Sequence, residues 1–250
     1  MKRHIDLLHG RILRSLTELA LPIMATSLVQ TAYNLTDMAW IGRVGSPAVA
    51  AVGAAGMYTW LSTGIVTLAR MGGQVKVAHS LGKGEGGEAI EYGRGAIQLT
   101  VALALAFALT SNLFTREMIG FFGLSSEKIA ADAGIYLRIT CGLILFSFLN
   151  QTMTGLFTAI GDSGTPFLAN CTGLAVNMVL DPLLIFGLGP FPRMEAAGAA
   201  VATVTAQMMV TLVLVKRASH DTVLFNKIGL QKLTKGKYFV EILRLGVPSS

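Results

Sequence analysis

Long apolar segments recur along the whole of this chain of 250 residues. The runs from Ala96 to Leu109 and from Cys171 to Leu188 are far longer than a buried strand needs. They approach the roughly 20 apolar residues with which a helix crosses a bilayer. Charged residues make up only 14% of the chain, whereas soluble domains contain about 25%. The sequence therefore predicts an all-α fold, a polytopic bundle of membrane-spanning helices.

Turns rich in glycine and proline separate the apolar segments, as at Gly45–Pro47 and Gly161–Pro166. The glycine-rich stretch Gly82–Gly87 lacks the lysine-serine ending of a phosphate loop and is predicted to be a flexible connection. Because no small-residue cleavage site follows the basic N-terminus, we expect a retained first helix rather than a signal peptide. The predicted spanning helices cover residues 13–40, 48–71, 93–114, 134–158, 166–188 and 196–215.

Lysine and arginine are unevenly distributed between alternate connections. Most of the 20 such residues lie on the side of the N-terminus, and cytoplasmic loops carry this excess in membrane proteins. We therefore expect a multi-pass protein of the cell (inner) membrane with a cytoplasmic N-terminus. The net charge of +6 does not predict a nucleic-acid partner, since no basic stripe is interleaved with aromatic residues on a soluble module.

Three segments of unequal length are predicted: a six-helix lobe over residues 1–215, a basic cytoplasmic linker over 216–244 and the start of a second repeat over 245–250. The linker is amphipathic, so it either lies on an anionic inner leaflet or forms an ordinary solvated loop. Leu245 to Pro248 resembles Leu19 to Pro22 in spacing. This echo predicts a parallel internal repeat and a two-lobe transporter, of which the chain is one lobe, with a C-terminal lobe as its partner.

Polar side chains at membrane depth are costly and often mark function. On the first predicted helix Gln30, Asn34 and Asp37 have the spacing i, i+4 and i+7 of one helical stripe, and Tyr33 lies one turn before Asp37. Pro22 removes a backbone hydrogen bond and predicts a hinge in the same helix.

A second set of polar residues lies on the fifth and sixth predicted helices. Asn177 and Asp181 are one turn apart, and Asn170 lies on the same stripe. Thr203 and Gln207 are one turn apart on the sixth. At 1.5 Å per residue, Asp37 lies about 5 Å, and Asp181 and Thr203 about 10 Å, from the outer ends of their helices. All three depths fall in one layer, so we predict a single cation site of Asp37, Asn177, Asp181 and Thr203.

Carboxylate, amide and hydroxyl oxygens suit Na⁺, and the two carboxylates could carry a proton instead. Na⁺ or H⁺ is thus the expected coupling ion, with no other cofactor. The alternative is that Asn177 and Asp181 only hydrogen-bond neighbouring helices. Gln207 and Asn170 fit the role of links between helices better than that of ligands. Cys141 and Cys171 lie in apolar segments and predict neither a disulfide nor a metal site.

The chain resembles the multidrug and toxic compound extrusion (MATE) family. The matching stretches run in order along nearly the whole sequence: Ala20–Ile23, Asn34–Gly45, Gly161–Pro166, Asn177–Gly187 and Gly198–Thr203. The resemblance implies two six-helix lobes and export of small organic, often cationic, compounds or drugs in exchange for Na⁺ or H⁺. It also implies a cation site at Asp37, Asn177 and Asp181, with Thr203 nearby, and a first-helix proline at Pro22.

Several alternatives to an antiporter follow from the same residues. A flippase for lipid-linked sugars has a related architecture, but it would favour a cavity lined with Lys and Arg, which are scarce at depth here. An intramembrane enzyme would need a nucleophile paired with a base, which the acidic pair without His or a reactive Ser does not provide. A third alternative is a truncated, non-functional half.

Overall fold

The computed structural model describes residues 12–229 and 231–247, and within them it contains helices and no strands. Six long helical units form the bundle, and one of them is broken. In chain order the helices are α1 (Ile12–Val44), α2 (Ser46–Gly82), α3 (Gly86–Leu113), the short α4 (Thr115–Gly120), α5 (Glu127–Gly142), α6 (Leu145–Ala159), α7 (Gly164–Phe186), α8 (Glu195–Ala218) and α9 (Gly236–Gly246).

The predicted turn at Gly45–Pro47 is confirmed, and a second glycine turn follows α7. Gly45 adopts a φ of 135°, and Pro47 stands in the first turn of α2, where its missing N–H costs nothing. Gly187 ends α7 in the left-handed conformation with a φ of 71°. A Cβ atom there would lie 2.5 Å from the backbone nitrogen of Arg193, so the turn has no room for a side chain.

Two predictions about helix limits were wrong. The predicted helices 48–71 and 93–114 are too short at their facing ends, because α2 continues to Gly82 and α3 already begins at Gly86. The predicted helix over 134–158 consists of α5 and α6, bent by 45° at the residues between them. There the N–H of Ile144 bonds the carbonyl of Cys141, a tighter i to i+3 pattern that interrupts the α-helical ladder.

Length and composition support most of the predicted spans. Four helices, α2, α3, α7 and α8, are long and apolar enough to cross a membrane, and α5 with α6 makes a fifth if the pair is one span. The remaining helix, α1, has 33 residues and is long enough, but the polar residues Gln30, Asn34 and Asp37 lower its hydropathy. Its crossing of the bilayer stays a prediction from the sequence.

Two layers of buried apolar side chains are stacked along the bundle. One contains Ile41, Leu137 and Phe148, toward the ends of the helices at Val44 and Ser46. The other contains Leu156 and Leu214, toward the end that carries Lys76, Arg94, Lys216 and Arg217, which we call the basic end. Helix α1 packs on α7, and α7 packs on α8. This order places the predicted polar stripes of three helices side by side.

Pro22 lies inside a continuous helix α1. The hydroxyl of Thr26 donates to the carbonyl of Pro22 at 2.7 Å, and helical structure continues on both sides of the ring.

The predicted internal repeat can be compared with the structure only in part. Residues 248–250 of its second copy lie outside the described residues, and so do residues 1–11, which include Lys2, Arg3 and Arg11.

The predicted basic linker is not uniform in structure. Its first residues, Lys216 to Ala218, complete α8, a 3₁₀ turn covers Phe225–Lys227, and α9 follows. Leu224 and Ile242 are fully buried against the bundle. The division into lobe, linker and second repeat stays a prediction.

Candidate functional site: a cluster of buried oxygens

Helices α1, α7 and α8 position the residues predicted for the cation site. Asp37 is half-buried on α1, while Asn177 and Asp181 are fully buried, one turn apart on α7. Thr203 faces them from α8. Counted at 1.5 Å per residue, Asp37 lies about 10 Å from the end of α1, Asp181 about 8 Å from the end of α7 and Thr203 about 12 Å from the start of α8. The three depths agree to within about one turn.

One hydrogen bond organises the α7 part of the cluster. The side-chain amide of Asn177 donates to Oδ1 of Asp181 at 3.0 Å. The second carboxylate oxygen of Asp181 and the amide oxygen of Asn177 are buried without a partner among the described residues. The same holds for Oδ1 of Asp37 and the hydroxyl of Thr203, so four oxygens from three helices lack a donor.

The structure brings these groups close enough to interact. The carboxylates of Asp37 and Asp181 interact electrostatically with each other. The hydroxyl of Tyr33 interacts electrostatically with both carboxylates. Tyr33 lies beside the hydroxyl of Thr203, yet neither group completes a hydrogen bond. The four residues predicted as one site, together with Tyr33, therefore form one cluster, which we call the oxygen cluster.

Tyr136 on α5 belongs to the same neighbourhood and was not predicted. It is buried, and it interacts electrostatically with Asp37, Tyr33 and Asp181. The signal in the sequence is a tyrosine between the apolar residues Ile135 and Leu137, because a buried tyrosine hydroxyl usually faces a polar partner. Its position against α1 and α7 depends on tertiary packing, which periodicity does not reveal.

A small cavity lies between α1, α7 and α8 beside the oxygen cluster. Tyr33 borders both features, and three of the polar residues that the sequence analysis places on helical stripes, Gln30, Asn170 and Gln207, line the cavity. Its lining contains neither Lys or Arg nor Asp or Glu. The lining residues are Val29, Gln30, Tyr33, Asn170, Gly173, Leu174, Ala206, Gln207 and Val210.

The remaining polar residues have ordinary hydrogen bonds or lie apart. Gln207 accepts a bond of 2.7 Å from the side-chain amide of Asn150 on α6, so it links two helices. Asn170 donates to the carbonyl of Pro166 in its own helix at 2.8 Å. Asn34 is exposed and does not line the cavity. At 100° per residue it lies at the edge of the stripe formed by Tyr33, Asp37 and Gln30.

The chemistry available in the oxygen cluster is that of ligand binding. Within residues 12–229 and 231–247, no group of three or more His, Cys, Asp or Glu side chains is arranged to hold a metal. The cluster instead combines two carboxylates with an amide and hydroxyl oxygens. Such a set of hard oxygen donors suits a small cation rather than a softer transition metal.

Comparison with known proteins gives a consistent result. The MatE family model matches residues 22–183. A FAD transporter of Shewanella oneidensis is 28% identical over 203 residues, which cover 81% of this chain and 45% of that protein. The probable multidrug resistance protein NorM of Thermotoga maritima is 28% identical over 246 residues, 96% of this chain and 51% of the relative.

Solved structures agree with the sequence matches. A MOP superfamily transporter from Pyrococcus furiosus, for which a reversed polarity of the binding pocket suggests a different function, superposes with a TM-score of 0.86 at 25% identity. The alignment covers 100% of this chain and 54% of that transporter. The chain thus spans about half the length of the relatives it matches.

Proposed function

This chain belongs to the MatE family, and from that premise we propose that it is part of a secondary antiporter, which exports small organic, mainly cationic, compounds in exchange for Na⁺ or H⁺. Its relatives are transporters rather than enzymes. In this proposal the chain supplies one lobe of six helical units. A second lobe completes the transporter, since the relatives are about twice as long.

The oxygen cluster is the observation that carries the proposal. A buried polar atom without a partner costs about 1–3 kcal/mol, and four such oxygens converge from α1, α7 and α8. A cation at their centre would satisfy all of them at once. Two carboxylates in one apolar environment also repel each other, and either Na⁺ or a proton would relieve that repulsion.

Each residue has a distinct role in the proposed site. Asp37 and Asp181 provide the negative charge. Asn177 holds Asp181 through its amide hydrogens and offers its own oxygen as a ligand. Thr203 contributes a hydroxyl from α8. Bending of α1 at Pro22 would carry Asp37 toward or away from α7, because Pro22 leaves the helix without one backbone hydrogen bond.

The relatives support an organic substrate, because one of them is named a probable multidrug resistance protein and another a FAD transporter. The cavity beside the oxygen cluster has room for only about one water molecule, so it is not itself the substrate site. A flippase for lipid-linked sugars would bind phosphates, and Lys and Arg, which attract phosphates, are scarce at membrane depth in this chain.

The membrane arrangement is also proposed. Family membership and the apolar helices make this a multi-pass membrane protein. The excess of Lys and Arg at the basic end favours a cytoplasmic position for that end, which puts the N-terminus on the same side of the cell membrane.

A transport assay tests the proposal. Vesicles from cells that express the complete gene are loaded with a fluorescent organic cation, and a Na⁺ or pH gradient is imposed. Asp181→Asn keeps the shape of the side chain but removes the charge, and a bond to a charged group is worth about 1.5–3 kcal/mol. We expect gradient-dependent efflux to fall by about 10- to 150-fold.

Glu117→Gln is the matched control, because Glu117 is an exposed carboxylate on α4 outside the oxygen cluster, and its loss should leave efflux unchanged. Undiminished, gradient-dependent efflux by Asp181→Asn would exclude the proposed role of the cluster. Dependence on one gradient alone would identify the coupling ion.

A further inference from the structure

The backbone of α9 touches the backbone of α2. A Cβ atom on Gly72 would lie 2.1 Å from the carbonyl oxygen of Ile242, and one on Gly246 would lie 2.2 Å from the carbonyl oxygen of Leu68. Real Cβ atoms do not approach so closely, so only glycine permits the contact at both positions. The two glycines, one on each helix, hold the second half of α9 against α2.

Polar contacts hold the same segment at several points. Glu241 on α9 accepts hydrogen bonds from the ammonium of Lys76 and, at 2.5 Å, from the hydroxyl of Tyr92. Before α9, the side chain of Gln98 donates to the carbonyl of Lys232 at 2.8 Å and accepts from the N–H of Thr234 at 3.1 Å. One face of residues 231–247 therefore packs against α2 and α3.

The opposite face of this segment combines apolar and basic side chains. Leu233, Val240 and Val247 are exposed, at 86%, 65% and 62% of their surface. Four exposed cations accompany them: Lys232, Lys235, Lys237 and Arg244. Glu241 is the single acidic residue between positions 231 and 247, and its charge is paired with Lys76. The outer face is therefore positively charged and partly apolar.

The position of α9 along the bundle matches the edge of a bilayer. Helix α2 has 37 residues and is about 55 Å long at 1.5 Å per residue, whereas the hydrocarbon core is about 30 Å thick, or about 20 residues of helix. Counted from the ends at Ser46 and Leu113, that core ends near Val66 on α2 and Gly93 on α3. The contacts of residues 231–247, at Leu68 and Gly72 on α2 and at Gly95 and Gln98 on α3, lie on both sides of this boundary and within about two turns of it.

We propose that residues 231–247 form a docking surface for acidic phospholipids, in the leaflet at the basic end of the bundle. The four cations meet the lipid phosphates, and Leu233, Val240 and Val247 enter the apolar layer just below the headgroups. Lys216 and Arg217, which follow the apolar part of α8, lie at the same level by the same count. This surface is independent of the proposed cation exchange.

Fluorescence quenching by brominated lipids tests the surface. The full chain is reconstituted into vesicles with Trp40 and Trp60 replaced by Phe and a reporter introduced as Val240→Trp. The bilayer contains equal mole fractions of phosphatidylglycerol and phosphatidylcholine, and only one of them is brominated at a time. Leu105→Trp is the matched control, because Leu105 is 58% exposed and lies seven residues, about 10 Å, deeper along α3 than Gln98, which binds the carbonyl of Lys232.

We expect brominated phosphatidylglycerol to quench Val240→Trp at least twofold more strongly than brominated phosphatidylcholine, while Leu105→Trp is quenched equally by both. Replacing Lys232, Lys235, Lys237 and Arg244 by Gln should remove the preference. All four are exposed, so the fold should be retained, and Val247→Trp provides a second reporter on the same face.

Equal quenching by both lipids at position 240 would overturn the proposal. Quenching by neither would also overturn it, since the face would then be covered by protein or water.

Discussion

Gly72 offers a direct measurement of how tightly α9 is packed on the bundle. In Gly72→Ala the new methyl group would lie 2.1 Å from the carbonyl oxygen of Ile242, whereas ordinary van der Waals contact begins at 3.4 Å. The obstacle is backbone, so α9 must move away by about 1 Å or more. Overpacking of this kind costs about 1–3 kcal/mol.

A second substitution in the same helix separates this clash from helix propensity. A Cβ atom on Gly64 would meet nothing within 4 Å, so Gly64→Ala should stabilise the protein by about 0.5–1 kcal/mol. Gly72→Ala has the same gain in helix propensity and differs by the clash alone. The free energies of unfolding of the two variants should therefore differ by about 1–3 kcal/mol.

Thermal unfolding can be followed at a buried cysteine. Cys141 is fully buried, so a thiol-reactive fluorophore labels it only when the bundle opens; Cys171, which is half-buried, is replaced by Ala in all variants. At about 2–4 °C per kcal/mol for a chain of this size, Gly72→Ala should unfold about 2–12 °C below Gly64→Ala. Equal unfolding temperatures would show that α9 does not pack on Gly72, and the geometric argument would fail.

Two further predictions concern hydrogen bonds outside the oxygen cluster. Bonds from Lys76 and Tyr92 hold the pKa of Glu241 below its usual value, so this carboxylate stabilises the fold above about pH 4.3 and ceases to do so as pH falls through the lowered pKa. Glu241→Gln should thus flatten the dependence of the unfolding temperature on pH between about pH 5 and pH 3; an unchanged slope would contradict the ion pair. Gln207→Met removes the oxygen that accepts from Asn150 and should cost about 0.5–1.5 kcal/mol, seen as a lower unfolding temperature by thiol labelling. No change would mean that this link between α6 and α8 carries no stability.

The number and order of the long helices could be predicted from apolar length and turn residues, but their limits could not. A hydropathy window detects the part of a helix that lies in lipid. Helix α2 continues to Gly82 and α3 begins at Gly86, where polar residues extend the helices beyond that part. The break between α5 and α6 contains no proline, and the glycine at its edge, Gly142, is one of 28 in the chain, so it does not by itself distinguish this position.

The oxygen cluster was predictable in outline, because helical spacing places Asn177 with Asp181, and a depth count aligns them with Asp37 and Thr203. Helical geometry alone could not show which polar residues of α1 face the cluster. Asn34 has the right spacing but is exposed in the structure. Tyr136 was missed because its place depends on how α5 packs against other helices. The glycine contacts of α9 likewise join positions about 170 residues apart, a distance over which no sequence period operates.

The hydrogen bond between Asn177 and Asp181 lies entirely within α7, and among the described residues none joins Asp37 to that helix. At this depth the polar side chains of α1 and α7 therefore interact by Coulomb force rather than through a directional bond. If the cluster is the proposed cation site, two ionised carboxylates would repel each other and favour separation of α1 from α7, whereas a cation between them would favour approach. The distance between the two helices would then depend on whether the site is occupied.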